Sequence, residues 1–377
     1  MTTNHPSNTD PASAPLVITQ RTPGGLGLIT LNRPKALNAL SLQMIRLLTD
    51  ALRGWQHDAG IHAVAIRGMG KAGEGFAPFG AFCAGGDIRF FHQAALAGDE
   101  ALGDFFTEEY ALNHLIHTYG KPYIAFMYGI VMGGGMGLSQ GASLRVVTER
   151  TKMAMPETAI GLFPDVGGGY FLSRCPGRVG EWLALTGDTI GAGDAVAFGL
   201  ADGCLPVEQQ AMVWENLGSG HFADGAAVKD YVASKLIAVS ASASSARGTI
   251  DQYFSLTSVR EIVGQLEAAD TDWARATAAT LRKRSPLMLH VVLEQVRRAR
   301  SMGLADDLRM ERDMVRHCFF LRAGQSETVE GIRALAVDKD HAPKWNPARI
   351  EDVTPEMVAP FFVSPWPAHA HPLAHLC

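Results

Sequence analysis

The sequence predicts an α/β layer fold followed by a helical C-terminal region. Three observations carry this. Short apolar, strand-like runs alternate with helix-period stretches up to about residue 205, helical periodicity alone continues beyond it, and much of the glycine falls between residues 68 and 203. The chain has 377 residues, 47% hydrophobic and 19% charged, with a formal net charge of −5. That is ample chain to bury a core, and the composition excludes a disordered, fibrous or disulfide-stapled protein. Without a basic excess, no nucleic acid is expected as a partner. No apolar run reaches the roughly 18 residues of a membrane span, so no membrane insertion is expected.

Five widely spaced cysteines (Cys83, Cys175, Cys204, Cys318, Cys377) form no CxxC pair. They fit a reducing compartment and suggest neither a disulfide framework nor a zinc site. The polar stretch 1–15 has no apolar core and no Lys or Arg, unlike a secretory signal or an Arg-rich transit peptide. A cytoplasmic setting is therefore expected.

Taken in order, residues 1–15 read as a disordered tail. The runs Leu16–Gln20 and Leu26–Leu31 flank Thr22-Pro23-Gly24-Gly25 and predict a β-hairpin. Ser41 is placed to cap a helix whose Met44, Ile45, Leu48, Leu52 and Trp55 share one face. Ala63–Arg67 predicts a strand, followed by a glycine-rich loop to Gly86 and a helical stretch to about Thr118. Pro122–Met127 and Leu144–Thr148 are further strands, with Gly133-Gly134-Gly135 opening a helix between them. In the helical region, residues 206–362, Ser285-Pro286 is a cap and first-turn pair. Residues 363–377 read as a loose tail. Its His369, His371 and His375 have no evident acidic partner, so no metal site is expected there.

Three segments could carry chemistry. In Phe82-Cys83-Ala84-Gly85-Gly86-Asp87, a Gly pair before a helix-starting Asp frees backbone N–H groups. Gly133-Gly134-Gly135 does the same after a strand. Brought together, two such N–H sources make an oxyanion hole; taken singly, each reads as an ordinary capped turn. The third segment, Met155 to Gly169, sets Glu157 and Asp165 in apolar, Gly- and Pro-punctuated chain. Both acids could simply favour the N-termini of short helices, or be acid–base groups with pKa values raised by burial. Spacing alone leaves these even. Gly137-Leu138-Ser139-Gln140-Gly141 matches GxSxG, but the strand-to-helix turn is already taken by Gly133–Gly135. Ser139 therefore reads as structural rather than as an esterase nucleophile. No GxGxxG follows a predicted strand.

Together these segments resemble the crotonase (enoyl-CoA hydratase/isomerase) superfamily. Asn32-Arg33-Pro34-Lys35-Ala36-Leu37-Asn38-Ala39-Leu40 is similar to its early segment, and the two Gly runs to its oxyanion-hole segments. More narrowly, AMPETAIGLFPDVGGGYFLSR, FFTEEYALN and EGIRALAVDKDHAPKWNPA resemble the 3-hydroxyisobutyryl-CoA hydrolase branch. The resemblance spans about residues 16–362. It implies a ββα spiral core over 16–205 holding the active site, with Gly86 and Gly134 donating N–H groups to a thioester oxygen. Glu157 and Asp165 would be the catalytic acids and Glu109 a contact to the substrate hydroxyl. Lys35, Ala36, Leu37, Ala84, Gly85, Asp87 and Gly133 would line the acyl-CoA path.

The implied reaction is thioester hydrolysis of 3-hydroxyisobutyryl-CoA, with 3-hydroxypropionyl-CoA as a neighbouring substrate and valine breakdown as the setting. CoA enters as part of the substrate, and no cofactor is implied. Glu157 could attack the carbonyl or activate water; both routes stay open. Relatives often form trimers or pairs of trimers, so a homo-oligomer is expected, smaller if the helical region covers that face. Two departures matter. The hydratases' Glu two residues after the Gly triplet is Gly137 here, which weakens hydration, and residues 71–80 lengthen a loop near the CoA entrance. A hydratase/isomerase and a non-catalytic acyl-CoA-binding protein are the alternatives.

Overall fold

The computed structural model describes residues 14–71, 79–241 and 246–377. The expected tail 1–15, apart from its last two residues, and most of the lengthened loop 71–80 lie outside them.

The predicted hairpin forms β1 (Val17–Arg21) and β2 (Leu26–Leu31), paired antiparallel. β3 (Ala63–Gly68), β4 (Tyr123–Met127), β6 (Leu144–Val147) and β8 (Gly203–Cys204) extend that sheet in parallel, in the order β1-β2-β3-β4-β6-β8. Its inner strands are buried on both faces, whereas edge strand β1 is exposed beyond Val17. Val64 and Ile66 of β3, with Tyr123, Ala125 and Met127 of β4, face one core; Ala63, Ala65, Ile124 and Phe126 face the other. This two-residue alternation, with both sets apolar, marks a sheet covered on both sides.

A second, two-stranded parallel sheet joins β5 (Ile130–Met132) to β7 (Lys152–Ala154). The segment before Ala84 runs parallel alongside β5: the Cys83 N–H donates to Ile130 O at 3.1 Å, and the Met132 N–H to Cys83 O at 3.0 Å. Three parallel segments therefore end side by side.

Helix α1 (Leu42–Gln56) begins where Ser41 Oγ accepts the Met44 N–H, as the cap predicts. The helical stretch after the glycine-rich loop is two helices, α2 (Ile88–Ala97) and α3 (Ala101–His117), broken at left-handed Gly98. Next come α4 (Gly134–Gln140), α5 (Gly168–Ser173), α6 (Val179–Thr186) and α7 (Ala192–Ala197). The remainder is helical: α8 (Gln210–Ser219), α9 (Gly225–Ala233), α10 (Arg247–Phe254), α11 (Val259–Ala268), α12 (Asp272–Leu281), α13 (Pro286–Ala299), α14 (Leu304–Phe320) and α15 (Glu327–Ile332).

The helical region after residue 205 packs onto the α/β core, where Val213, Trp214 and Leu217 of α8 and Val228 and Val232 of α9 cover one face of the main sheet. One expectation about organisation needs correcting. The tail 363–377 is not loose. Leu373 is fully buried, and Arg309 of α14 donates to Leu373 O and to Leu376 O. His371 faces Asp313 of α14 at 3.2 Å, an acidic partner too distant in sequence to be read there.

Candidate active site

The site sits where the three parallel segments end, the carboxyl-end position typical of open α/β sheets. The segment through Cys83 delivers Ala84, Gly85 and Gly86, β5 delivers Gly133 and Gly134, and β7 leads through Met155-Pro156 to Glu157. Gly85 and Gly133 have positive φ values of 102° and 48°, which glycine adopts freely. A Cβ on Gly85 would stand only 3.6 Å from Gly134 N. Among the described residues, the N–H groups of Gly86 and Gly134 have no acceptor. Cys83 Sγ accepts the Gly85 N–H at 3.4 Å and supports the first segment from behind.

These residues line a cavity of about 260 Å³ with Glu109, Glu157 and Asp165. Its walls are apolar, supplied by Phe91, Phe106, Met132, Ile160, Leu162 and, from the C-terminal region, Leu335. Glu109 projects from α3 toward Gly134, where a Cβ would lie 2.5 Å from Glu109 Oε1; a Cβ on Gly133 would lie 2.9 Å from Glu157 Oε1. Glu109 Oε1 and Glu157 Oε2 are buried without a hydrogen-bond partner among the described residues. Asp165 is held differently, its Oδ2 accepting the Tyr110 hydroxyl at 2.8 Å.

Burial raises all three acids. Asp165 is pushed up to about 6 by desolvation, which the Tyr110 hydrogen bond opposes. Glu157 lies well above the usual carboxylate range through desolvation and the nearby Asp165. Glu109 is raised by desolvation and by both other acids. Like charges crowded in apolar surroundings favour proton-holding forms, the condition of a group that exchanges protons near neutrality.

The structure thus brings together Ala84, Gly85, Gly86, Glu109, Gly133, Gly134, Glu157 and Asp165. It does not place the other four there. Asp87 caps α2, accepting the Phe90 N–H, and its Oδ2 pairs with Arg33 at 2.7 Å, so its carboxylate is committed to structure. Lys35 and Ala36 lie in a short 3-10 turn outside the cavity, and Lys35 is exposed. Leu37 lines a separate cleft of about 190 Å³ with Pro34, Met69 and Tyr128, tied to the site through the Ala84 N–H on Leu37 O at 3.1 Å. Ser139 is buried inside α4 with its hydroxyl on Gly135 O and Met136 O, as the displaced elbow motif predicts. Glu157 does open a short 3-10 helix, whereas Asp165 precedes α5 in an irregular turn. Sequence reasoning missed Tyr110. It follows Glu109 in the FFTEEYALN segment, but nothing in that run names a partner for its hydroxyl, and only folding places it across from Asp165.

Two buried glycine segments donating into an acid-lined, apolar cavity at a parallel-strand end define the crotonase fold. The chain belongs to the enoyl-CoA hydratase/isomerase family, which it matches over residues 26–362. It is 40% identical over 351 residues to a mitochondrial 3-hydroxyisobutyryl-CoA hydrolase of Xenopus tropicalis, covering 90% of this chain and 87% of that protein. The mitochondrial 3-hydroxyisobutyryl-CoA hydrolase of Homo sapiens is 39% identical, with 88% and 85% covered. Among solved structures, a carnitinyl-CoA dehydratase from Mycobacterium thermoresistibile is 37% identical with a TM-score of 0.83, covering 92% of this chain and 96% of that one. The cytoplasmic expectation is overturned by these relatives, both named as mitochondrial. Free thiols fit any reducing compartment, so cysteine usage could not separate the two settings.

Proposed function

We propose that this protein hydrolyses the thioester of 3-hydroxyisobutyryl-CoA, and of the neighbouring 3-hydroxypropionyl-CoA, to the free hydroxy acid and CoA. The observation that carries the reading is the pair of Gly86 and Gly134 amides, without an acceptor among the described residues, beside buried Glu157 and Asp165. The relatives named as hydrolases support it.

The thioester carbonyl becomes an oxyanion on attack, and the two amides favour that charge over the ground state, an effect in which one donor is worth about a hundredfold or more. Glu157 supplies the attack by one of two routes. Its carboxylate adds to the carbonyl carbon, the C–S bond breaks, CoA leaves and takes up a proton, and water opens the resulting anhydride. Alternatively, Glu157 takes a proton from a water that adds directly. Asp165, fixed by Tyr110, orients Glu157 or passes the proton, and Glu109 accepts a hydrogen bond from the 3-hydroxyl. Lys35, Ala36 and Leu37 meet the CoA portion outside the cavity. CoA is part of the substrate, and the natural setting is valine breakdown.

Hydration of an enoyl-CoA is the second reading, favoured by the dehydratase neighbour. Against it stands Gly137, where a Cβ would meet Val166 Cβ at 2.7 Å and Asn113 Nδ2 at 2.8 Å, leaving no room for a second acid. Thiol release from 3-hydroxyisobutyryl-CoA, followed beside crotonyl-CoA hydration, tests the choice: release without hydration is expected, and hydration without release would refute it. Oxygen-18 from water enters the Glu157 carboxylate in a single turnover only if the anhydride forms and water opens it at the Glu157 carbonyl, so label there marks the anhydride route.

A further inference from the structure

The turn that carries Asp165 is held from the C-terminal helices. Glu311 of α14 lies 144 residues beyond Gly167, yet its Oε2 accepts the Gly167 N–H at 2.7 Å. Its Oε1 accepts the Gly169 N–H at 3.0 Å. Gln295 of α13 donates to Pro164 O at 2.7 Å and to Glu311 Oε1 at 3.2 Å. Asp307, one turn earlier on α14, accepts the Tyr170 N–H at 2.9 Å. The segment is gripped on both sides of Asp165, and all three gripping side chains are buried.

What they grip is strained. Val166 has φ of 58° and Gly167 of 84°. A β-branched residue in the left-handed region is an outlier that persists only where its surroundings impose it. The turn leaves the Gly167 and Gly169 N–H groups to be received from outside it, and the Glu311 carboxylate receives both. Electrostatics alone argues against it there: desolvation, then the neighbouring Asp307 and Asp165, push Glu311 up, against the pull of the Gly167 and Gly169 amides. Burying another acid beneath an acid-lined site is costly, and the hydrogen bonds from Gly167, Gly169 and Gln295 offset that cost.

We propose that Glu311 is a positioning residue: it pins the left-handed Val166–Gly167 turn and thereby aims Asp165 into the cavity. The inference rests on the thioesterase reading, in which Asp165 works with Glu157. It makes the helical C-terminal region a working part of the active site.

A double-mutant cycle on CoA release from 3-hydroxyisobutyryl-CoA tests it. Glu311→Gln keeps the shape but offers one acceptor oxygen in place of two. It is expected to lower kcat about 10- to 100-fold with KM within twofold of wild type. In the Asp165→Asn background the same substitution is expected to change kcat less than twofold, because the group it positions is already disabled. A folded Glu311→Gln protein with wild-type kcat overturns the inference, as does a full loss that persists beside Asp165→Asn. A wild-type protein that releases no CoA, or an Asp165→Asn protein with undiminished kcat, overturns the functional reading and the inference with it. Should Glu311→Gln fail to fold, Gln295→Met removes the Pro164 contact, and the same cycle reads it with the same expected split.

Discussion

Tyr110 donates its hydroxyl to Asp165 Oδ2 at 2.8 Å, joining α3 to the turn before α5 inside the core. Both residues are buried. The bond is charge-assisted when Asp165 is ionised, and such bonds contribute about 1.5–3 kcal/mol. Asp165 has a folded pKa raised from 3.8 to about 6. A raised folded value means that the native state holds the proton more tightly than the unfolded chain, so this group's contribution to stability declines as pH rises through that window. Tyr110→Phe removes the donor that opposes the rise, and is expected to move Asp165 higher still. The variant should lose more stability at pH 8, where Asp165 is ionised, than at pH 5, where it is protonated. Urea unfolding at the two pH values measures this, and an equal loss at both would show that the hydroxyl does not serve the carboxylate.

Glu109, Glu157 and Asp165 repel one another in a desolvated cavity, so the site is bought at the expense of stability. Glu157→Gln keeps the volume and removes one ionisable group whose Oε2 has no hydrogen-bond partner among the described residues. Relieving such an arrangement commonly adds about 0.5–2 kcal/mol while harming function. The variant is expected to melt higher than wild type at pH 7–8 and to lose about 10²- to 10⁴-fold in kcat with little change in KM. Calorimetry and steady-state kinetics on one preparation check both signs. A near-wild-type kcat would remove Glu157 from the mechanism.

Local signals carried most of the fold. Ser41 and Ser285 cap the helices they precede, and the hairpin closes around residues 22–25. The glycine runs and the acids of 155–169 pointed to the cavity, because a donor-rich turn and a buried acid leave marks in adjacent residues. What stayed hidden depends on distant partners. β5 and β7 have three residues each, too few for a periodic pattern, yet their pairing sets Glu157 beside Gly133. Asp87 belongs to the glycine segment in sequence, yet its carboxylate is taken by Arg33, a partner 54 residues away. Leu373 and Leu376 sit in a Pro- and His-rich tail whose composition hides that both join the main core and that Arg309 of α14 donates to their carbonyls. Glu311 is one acid in a charged helical run, and nothing local distinguishes it from a solvated one.

The two amide donors should respond differently to an added methyl group. At Gly134 a Cβ would meet Glu109 Oε1 at 2.5 Å and Leu40 Cδ1 at 3.1 Å, so a movable carboxylate gives way first. At Gly86 it would meet Phe91 Cζ at 2.5 Å and Phe105 Cζ at 3.2 Å, inside a packed aromatic cluster. Gly134→Ala is expected to fold with near-wild-type stability and to lose kcat about 10- to 100-fold as Glu109 and the peptide shift. Gly86→Ala should lose activity and also about 1–3 kcal/mol of stability through overpacking. Chemical denaturation beside CoA-release rates separates the two. Equal destabilisation of both would mean that Glu109 is as rigid as the aromatic cluster.

Gly137 decides between hydrolysis and hydration most directly. Restoring the acid by Gly137→Glu looks, from sequence, like a one-step route to a hydratase. The structure predicts otherwise. The new Cβ would press on Val166 at 2.7 Å and on Asn113 Nδ2 at 2.8 Å. Val166 already sits at φ 58° in the turn next to Asp165, so the displacement would reach the existing acid before the new one reached the cavity. The carboxylate would also join three raised acids in a desolvated space, where the crowding at Val166 keeps it from settling on Asn113 Nδ2, a buried donor without a partner among the described residues. Gly137→Glu is therefore expected to gain no crotonyl-CoA hydration, to release CoA more slowly than wild type, and to lose about 1–3 kcal/mol of stability. Crotonyl-CoA consumption, thiol release and urea unfolding of the one variant provide the three readings. Appearance of hydration at undiminished stability would show that the turn at Val166 yields, and that this cavity is a hydratase site lacking one acid.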